Sequence, residues 1–194
     1  MAVFADLLDL QTAVVEHVGR PDIVDVFPRL VQMAEVGFSR KLRTMDQIVS
    51  TTLDYASGYG TLPTNVAEII GLYDDNGREF IQQSVQTAGS DRTGTYYSVS
   101  GSAVTASEAG NLFIDYYARI PTISGSMAAT NWLLEKHPGL YLYGVGLEAA
   151  KHVRDGDLMQ VSKMALDMEY ADIWAEDEAA RYSRAKVRVA GPTP

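Results

Sequence analysis

His137-Pro138-Gly139-Leu140-Tyr141-Leu142-Tyr143-Gly144-Val145-Gly146-Leu147-Glu148-Ala149-Ala150 is the stretch on which the fold turns. Read one way, Gly144 to Ala149 is the G-x-G-x-x-A of a dinucleotide-binding turn. That fingerprint needs a strand, a tight turn and a free helix N-terminus within a βαβ unit, because the pyrophosphate sits on exposed N–H groups. Only Leu140 to Tyr143 separate Pro138-Gly139 from the first of these glycines. The better reading is a helix from Pro138 to about Val153, with proline in its first turn. Gly144, Gly146, Ala149 and Ala150 are then the small residues that let a neighbouring helix approach. Nucleotide binding is rejected, and the end of the chain becomes helical.

Working outward, Asp157 to about Tyr182 reads as a further helix, with Val161, Ala165, Met168, Ala175 and Ala179 expected to face inward. At the other end Leu7, Leu10, Val14 and Val18 form one apolar stripe, which stops at Gly19 before Pro21. Phe27, Leu30, Val31, Ala34 and Phe38 form a second, with Pro28 in its first turn. A short separate turn is expected over Asp22 to Asp25. Between the helix pairs the texture is β: Ile48 to Leu53 is rich in β-branched residues, Ser57 to Gly60 reads as a loop, and Val66 to Tyr73 as a strand. Asn76-Gly77 predicts a type I′ hairpin with positive φ at both residues and a return strand over Phe80 to Gln82. Ala88 to Gly110 reads as weak strands around Tyr96 to Val99 and Ala103-Val104 with a mobile loop, and Asn111 to Tyr117 as a firmer strand closed by Pro121.

The expected class is therefore α+β, mainly α. A bundle of about four helices, over 4–19, 28–42, 138–153 and 157–182, would carry a small inserted antiparallel β module over 45–120. A loose tail over 183–194 completes one domain of 194 residues.

Composition narrows the function. Hydrophobic residues make up 46% and charged residues 21%, values of a chain that folds. No stretch reaches the ~18 apolar residues of a membrane span, and Asp6 and Asp9 stand where a signal peptide would be basic, so no membrane step is expected. Cysteine is absent, which removes disulfides and thiolate chemistry. The net charge of −9 is unevenly spread. From Asp155 to Ala180 eight acids face one base, Lys163, and then Arg181, Arg184, Lys186 and Arg188 follow with no acid among them. An acidic body does not grip a phosphate backbone by counterion release, so sequence-specific nucleic-acid binding is not expected.

No constellation supports catalysis, a cofactor or a metal. The three histidines, His17, His137 and His152, share no metal-ligand spacing and suit helix ends. Asp74-Asp75-Asn76-Gly77 lacks the spacing of a calcium loop. Glu176, Asp177 and Glu178 are adjacent, so on a helix they point to different faces and cannot converge on one substrate.

Tyr116-Tyr117-Ala118-Arg119-Ile120-Pro121, Asn131-Trp132-Leu133-Leu134 and His137 to Gly144 together resemble the phage adaptor family of head-to-tail connectors. There a strand ending YYAKIP leads to NWLL, then to P-x-x-Y-L-Y-G and an acidic final helix. Ala34-Glu35 with Arg40-Lys41-Leu42-Arg43 resembles the family's second helix, and Thr61-Leu62-Pro63 with Glu68 its step into the β module. The chain departs from the family pattern at Gly101 to Ser107, where a strand with proline is usual.

The resemblance implies a non-enzymatic virion protein of the neck, assembled in the host cytoplasm. It would form a ring of about twelve copies between the portal and a tail or nozzle protein, with genomic DNA passing through unread. Trp132, Tyr141 and Tyr143 would serve packing, an indole alone covering ~150–250 Å2. Charge adds two expectations: that Glu176, Asp177 and Glu178 face the passage, and that Arg181, Arg184, Lys186 and Arg188 dock on the portal. The hairpin at Asn76 and Gly77 is a candidate contact with the tail or the next subunit. A different class also fits the β region: a small ligand- or carbohydrate-binding module with Tyr96 and Tyr97 as its stacking surface.

Overall fold

The fold was taken from a computed structural model that describes residues 3–56, 59–84, 95–107 and 111–182, the side chains of 54–56 excepted. It is α+β and mainly helical, with an antiparallel-rich sheet inserted between helices. Two compact units emerge, residues 1–45 with 120–194 and residues 46–119.

In the helical unit each element begins or ends on a residue with a physical reason to be there. Helix α1, Leu7–Val18, is capped by Asp6, whose carboxylate accepts the N–H groups of Leu8 and Asp9 at 3.0 Å each. It stops where Gly19 takes φ +68°, a conformation glycine adopts without strain. A 3-10 turn, Pro21–Val26, leads into α2, Phe27–Lys41. The short α3, Trp132–Lys136, is capped by Asn131, which accepts the Leu134 N–H at 2.9 Å. Helix α4 spans Pro138–Val153, and α5 spans Gly156–Tyr182. At 27 residues α5 is about 40 Å long.

Helix α4 packs against α1, α2 and α5, and its glycines set the distances. A Cβ on Gly144 would collide with the Phe38 ring of α2, and one on Gly146 would come within 3.2 Å of His17 on α1. The G-x-G is thus a helix-packing device. Phe27, Leu10, Ile23 and Leu140 are fully enclosed in this core, each contributing roughly 1.5–3 kcal/mol by leaving water.

The inward face of α5 differs from the expected one. Ser162, Leu166, Tyr170 and Ile173 are buried, whereas Val161, Met168, Ala175 and Ala179 are exposed and Ala165 is half-buried. The helix has two apolar stripes, and the one with the cleaner spacing faces solvent.

In the β unit seven strands lie in the order β3-β7-β1-β2-β6-β5-β4. They are β1 Ile48–Ala56, β2 Tyr59–Thr61, β3 Val66–Asp74, β4 Ile81–Gln82, β5 Tyr96–Ser100, β6 Ala103–Ala106 and β7 Leu112–Ala118. Strand β1 pairs with β7 through Ile48 to Leu53 and with β2 through Asp54 to Ala56. Alternation along β7 buries Leu112, Ile114 and Tyr116 with Leu53, Leu72 and Val104 and leaves Phe113 outside.

Four details depart from expectation. Tyr59 and Gly60 belong to a strand instead of a loop. At Asp75-Asn76-Gly77 only Gly77 has positive φ, +76°. The Asp74 carboxylate accepts the N–H groups of Asn76 and Arg78 at 2.8 Å each and so shapes a three-residue loop in place of the type I′ turn. The return strand shrinks to a single bridge, Tyr73 to Glu79, after which β4 pairs in parallel with β5. Tyr96 and Tyr97 are buried, at 8% and 4% exposure, and offer no stacking surface.

Candidate assembly site

Four residues of the motifs that carried the family resemblance, Glu35, Pro121, Asn131 and Tyr141, meet in one buried polar cluster. Glu35 lies among the apolar residues of α2 at 6% exposure. Its carboxylate accepts three hydrogen bonds: from the Thr122 hydroxyl at 2.6 Å, the Ile123 N–H at 2.8 Å and the Tyr141 hydroxyl at 3.2 Å. Asn131 donates to that tyrosine oxygen at 2.8 Å and to the Pro121 carbonyl at 2.7 Å, while its own carbonyl caps α3. Burial and the neighbouring carboxylate push the Tyr141 phenol far above its ordinary range, so it stays a donor. The Tyr141 ring meets Phe38 edge-on at 5.1 Å.

This arrangement fixes the loop 121–131 to α2 and α4. A buried carboxylate is tolerable only with its acceptor capacity filled, and here three donors fill it. Trp132 and Tyr143 are half-buried at the edge of the same core, Tyr143 against His17 at 5.7 Å. His17 in turn lies 3.4 Å from the Ser162 hydroxyl on α5. In the sequence Glu35 stands out only as a single acid beside the apolar stripe of α2 and as part of the Ala34-Glu35 motif.

A second cluster holds the far end of α5. Asp177 accepts the Met45 N–H at 2.6 Å and pairs with Arg181 at 2.6 Å, and Arg181 also donates to the Arg43 carbonyl at 3.3 Å. The Asp177 side chain is only 13% exposed. Of the acidic triplet, then, Asp177 is engaged within the chain, while Glu176 and Glu178 point to solvent. Of the basic series, Arg181 is folded into α5, and Arg184, Lys186 and Arg188 lie outside the described residues. Asn76 and Gly77 form an exposed turn whose backbone is held by Asp74.

Near its middle α5 is tied to α2 by Lys41, which sits 4.4 Å over the Tyr170 ring and 3.7 Å from Asp167. Burial, aided by Asp167, pushes the Tyr170 phenol up to about 12. Tyr170 stacks on Trp174 at 5.8 Å. The geometry brings together groups that fasten helices to one another. Among the described residues no group of three or more acids and histidines is placed to hold a metal ion, and no helix is long and apolar enough to cross a membrane.

No curated protein matches the chain. The family model described as SU10 adaptor protein matches residues 5–190, and so takes in the Glu35–Tyr141–Asn131 cluster, the inserted sheet and the acidic helix together. With that span covered, the chain belongs to the SU10 adaptor protein family, a family of phage head-to-tail adaptors.

Proposed function

We propose that this structural protein works in the virion neck as a ring of about twelve copies, joined to the portal on one side and to a tail or nozzle protein on the other. The observation that carries the reading is the family match over residues 5–190, which spans both units instead of one module. Genomic DNA passes through the ring without being read. The exposed acids Glu176 and Glu178 approach the passage, where negative charge keeps DNA from adhering. Arg184, Lys186 and Arg188 follow α5 in sequence and dock on the portal. The turn at Asn76 and Gly77 meets the tail or the next subunit. Assembly takes place in the host cytoplasm, and the role requires no catalysis.

Removing residues 183–194 tests the docking arm: binding to purified portal is expected to fall, and undiminished attachment defeats that assignment. Particles lacking the protein are expected to package DNA but fail to retain it or to acquire tails. Normal tailed particles in its absence would refute the adaptor role. The carbohydrate-binding alternative loses its motivation, since Tyr96 and Tyr97 are core residues.

A further inference from the structure

Among the described residues nothing covers the apolar outer face of α5. Val161, Met164 and Met168 are 58%, 62% and 68% exposed, and Ala171 and Ala175 lie on the same side. Val161, Met168 and Ala175 recur every seven residues with Met164 and Ala171 between them, the spacing by which one helix seats on another. Exposed apolar side chains in such a row cost solubility unless a partner covers them. Asp172, Glu176 and Glu178 stand along the same helix, exposed and with no ion-pair partner among the described residues.

A second surface of the helical unit has the complementary character. Between α2 and α4 runs an open groove of about 590 Å3 lined by Met33, Val36 and Gly37 with Arg29 and Arg40, and on its α4 side by the Glu148–Lys151 ion pair, 2.6 Å apart. Met33 and Val36 are each 51% exposed. Arg29, Met33, Val36 and Arg40 follow at offsets of four, three and four, one seam along α2. Neither arginine has an ion-pair partner among the described residues.

We propose that the outer face of α5 on one copy seats in the α2/α4 groove of the next copy. This deepens the ring reading and rests on it. The occupant is a second copy because each surface carries an apolar row at helical spacing, the unpaired charges beside the rows (Asp172, Glu176 and Glu178 on one, Arg29 and Arg40 on the other) are of opposite sign, and both occur on one chain. The contact joins different faces, so every copy offers both halves and the contact propagates from copy to copy until the ring closes. Charge disfavours seating α5 against another α5, since acid would then meet acid.

The chain has no cysteine, so introduced thiols are the only ones present. The test is oxidative cross-linking of concentrated full-length protein carrying Met33→Cys, Met168→Cys or both. The doubled variant is expected to give a ladder of dimers and higher species, and each single variant alone none. A mixture of the two single variants should give dimers and nothing larger. Arg40→Glu in the doubled variant should reduce the ladder several-fold, with circular dichroism reporting an intact fold. The ladder should survive removal of residues 183–194. No ladder from the doubled variant overturns the pairing. So do dimers from Met168→Cys alone, which mean two α5 faces meeting, and a ladder lost with residues 183–194, which makes the tail the occupant. Portal binding is read separately: necks that form while the doubled variant gives no ladder overturn these two faces and leave the adaptor reading standing.

Discussion

The two units solve the problem of buried polarity differently. In the helical unit the enclosed polar side chains Glu35, Asn131, Tyr141 and Ser162 all have partners. In the β unit Gln47 and Tyr116 have partners too, but among the described residues the Tyr96 hydroxyl and the Gln83 side-chain carbonyl are buried without one. A unit whose polar groups are all matched to specific partners holds one geometry, because any displacement orphans several of them together. A unit held mainly by strand ladders and apolar contact tolerates adjustment at its surface. The helical unit is the frame, and the β unit is the part with slack.

The contrast can be broken hardest at Glu35. Glu35→Ala orphans three donors, and we expect a loss of about 3 kcal/mol or more, read by urea denaturation of the helical signal. A loss under 1 kcal/mol would mean that the cluster is ornamental. Tyr141→Phe should cost about 1–2 kcal/mol, since Asn131 and Glu35 each lose a partner. The same two phenols give a pH signature. Tyr141 and Tyr170 are protonated in the fold beyond the range where an unfolded tyrosine ionises. Their contribution is fully present below about pH 10, the unfolded value, and is lost as pH rises through the folded values. Melting temperature should therefore fall above pH 10, and less steeply in Tyr170→Phe.

Asp177→Asn is expected to cost roughly 0.5–1.5 kcal/mol, because its pairs with Arg181 and the Met45 N–H are partly open to water. The smallest effect sharpens the contrast from the other side. Tyr96→Phe removes a hydroxyl that has no partner among the described residues, and stability should stay within about 0.5 kcal/mol of the parent or rise. A loss comparable to that of Tyr141→Phe would erase the distinction between the units.

The helix ends were legible because they are written in local chemistry. Gly19 with Pro21, Pro28 in a first turn and Pro138 act within a few residues of themselves. The G-x-G at Gly144 was legible as helix because too few residues precede it for a strand. The inward face of α5 was not, since a 3.6-residue period reports that a stripe exists and not which side the bundle covers. Leu166, Tyr170 and Ile173 take that side because Phe38, Lys41 and Gly144 wait there. The turn at Asn76 went astray because the Asp74 side chain, outside the dipeptide, decides it. The polar clusters join residues 35 to 141 and 45 to 177, and no pattern in one sequence links positions so far apart.

Residues 46–119 are contiguous in sequence, whereas the helical unit is assembled from both flanks of that insertion. On the ribosome, the sheet is therefore complete in sequence before Asn131 and Tyr141 are synthesised, while Glu35 has to wait for both. The insertion can mature first and shorten the excursion that α2 must close to meet α4. Nascent chains halted once residue 119 has cleared the ribosomal exit tunnel, with Asn131 and Tyr141 still inside it, should already protect the amides of β1 and β7 from exchange while those of α2 still exchange freely. Protection appearing in α2 first would reverse that order of birth.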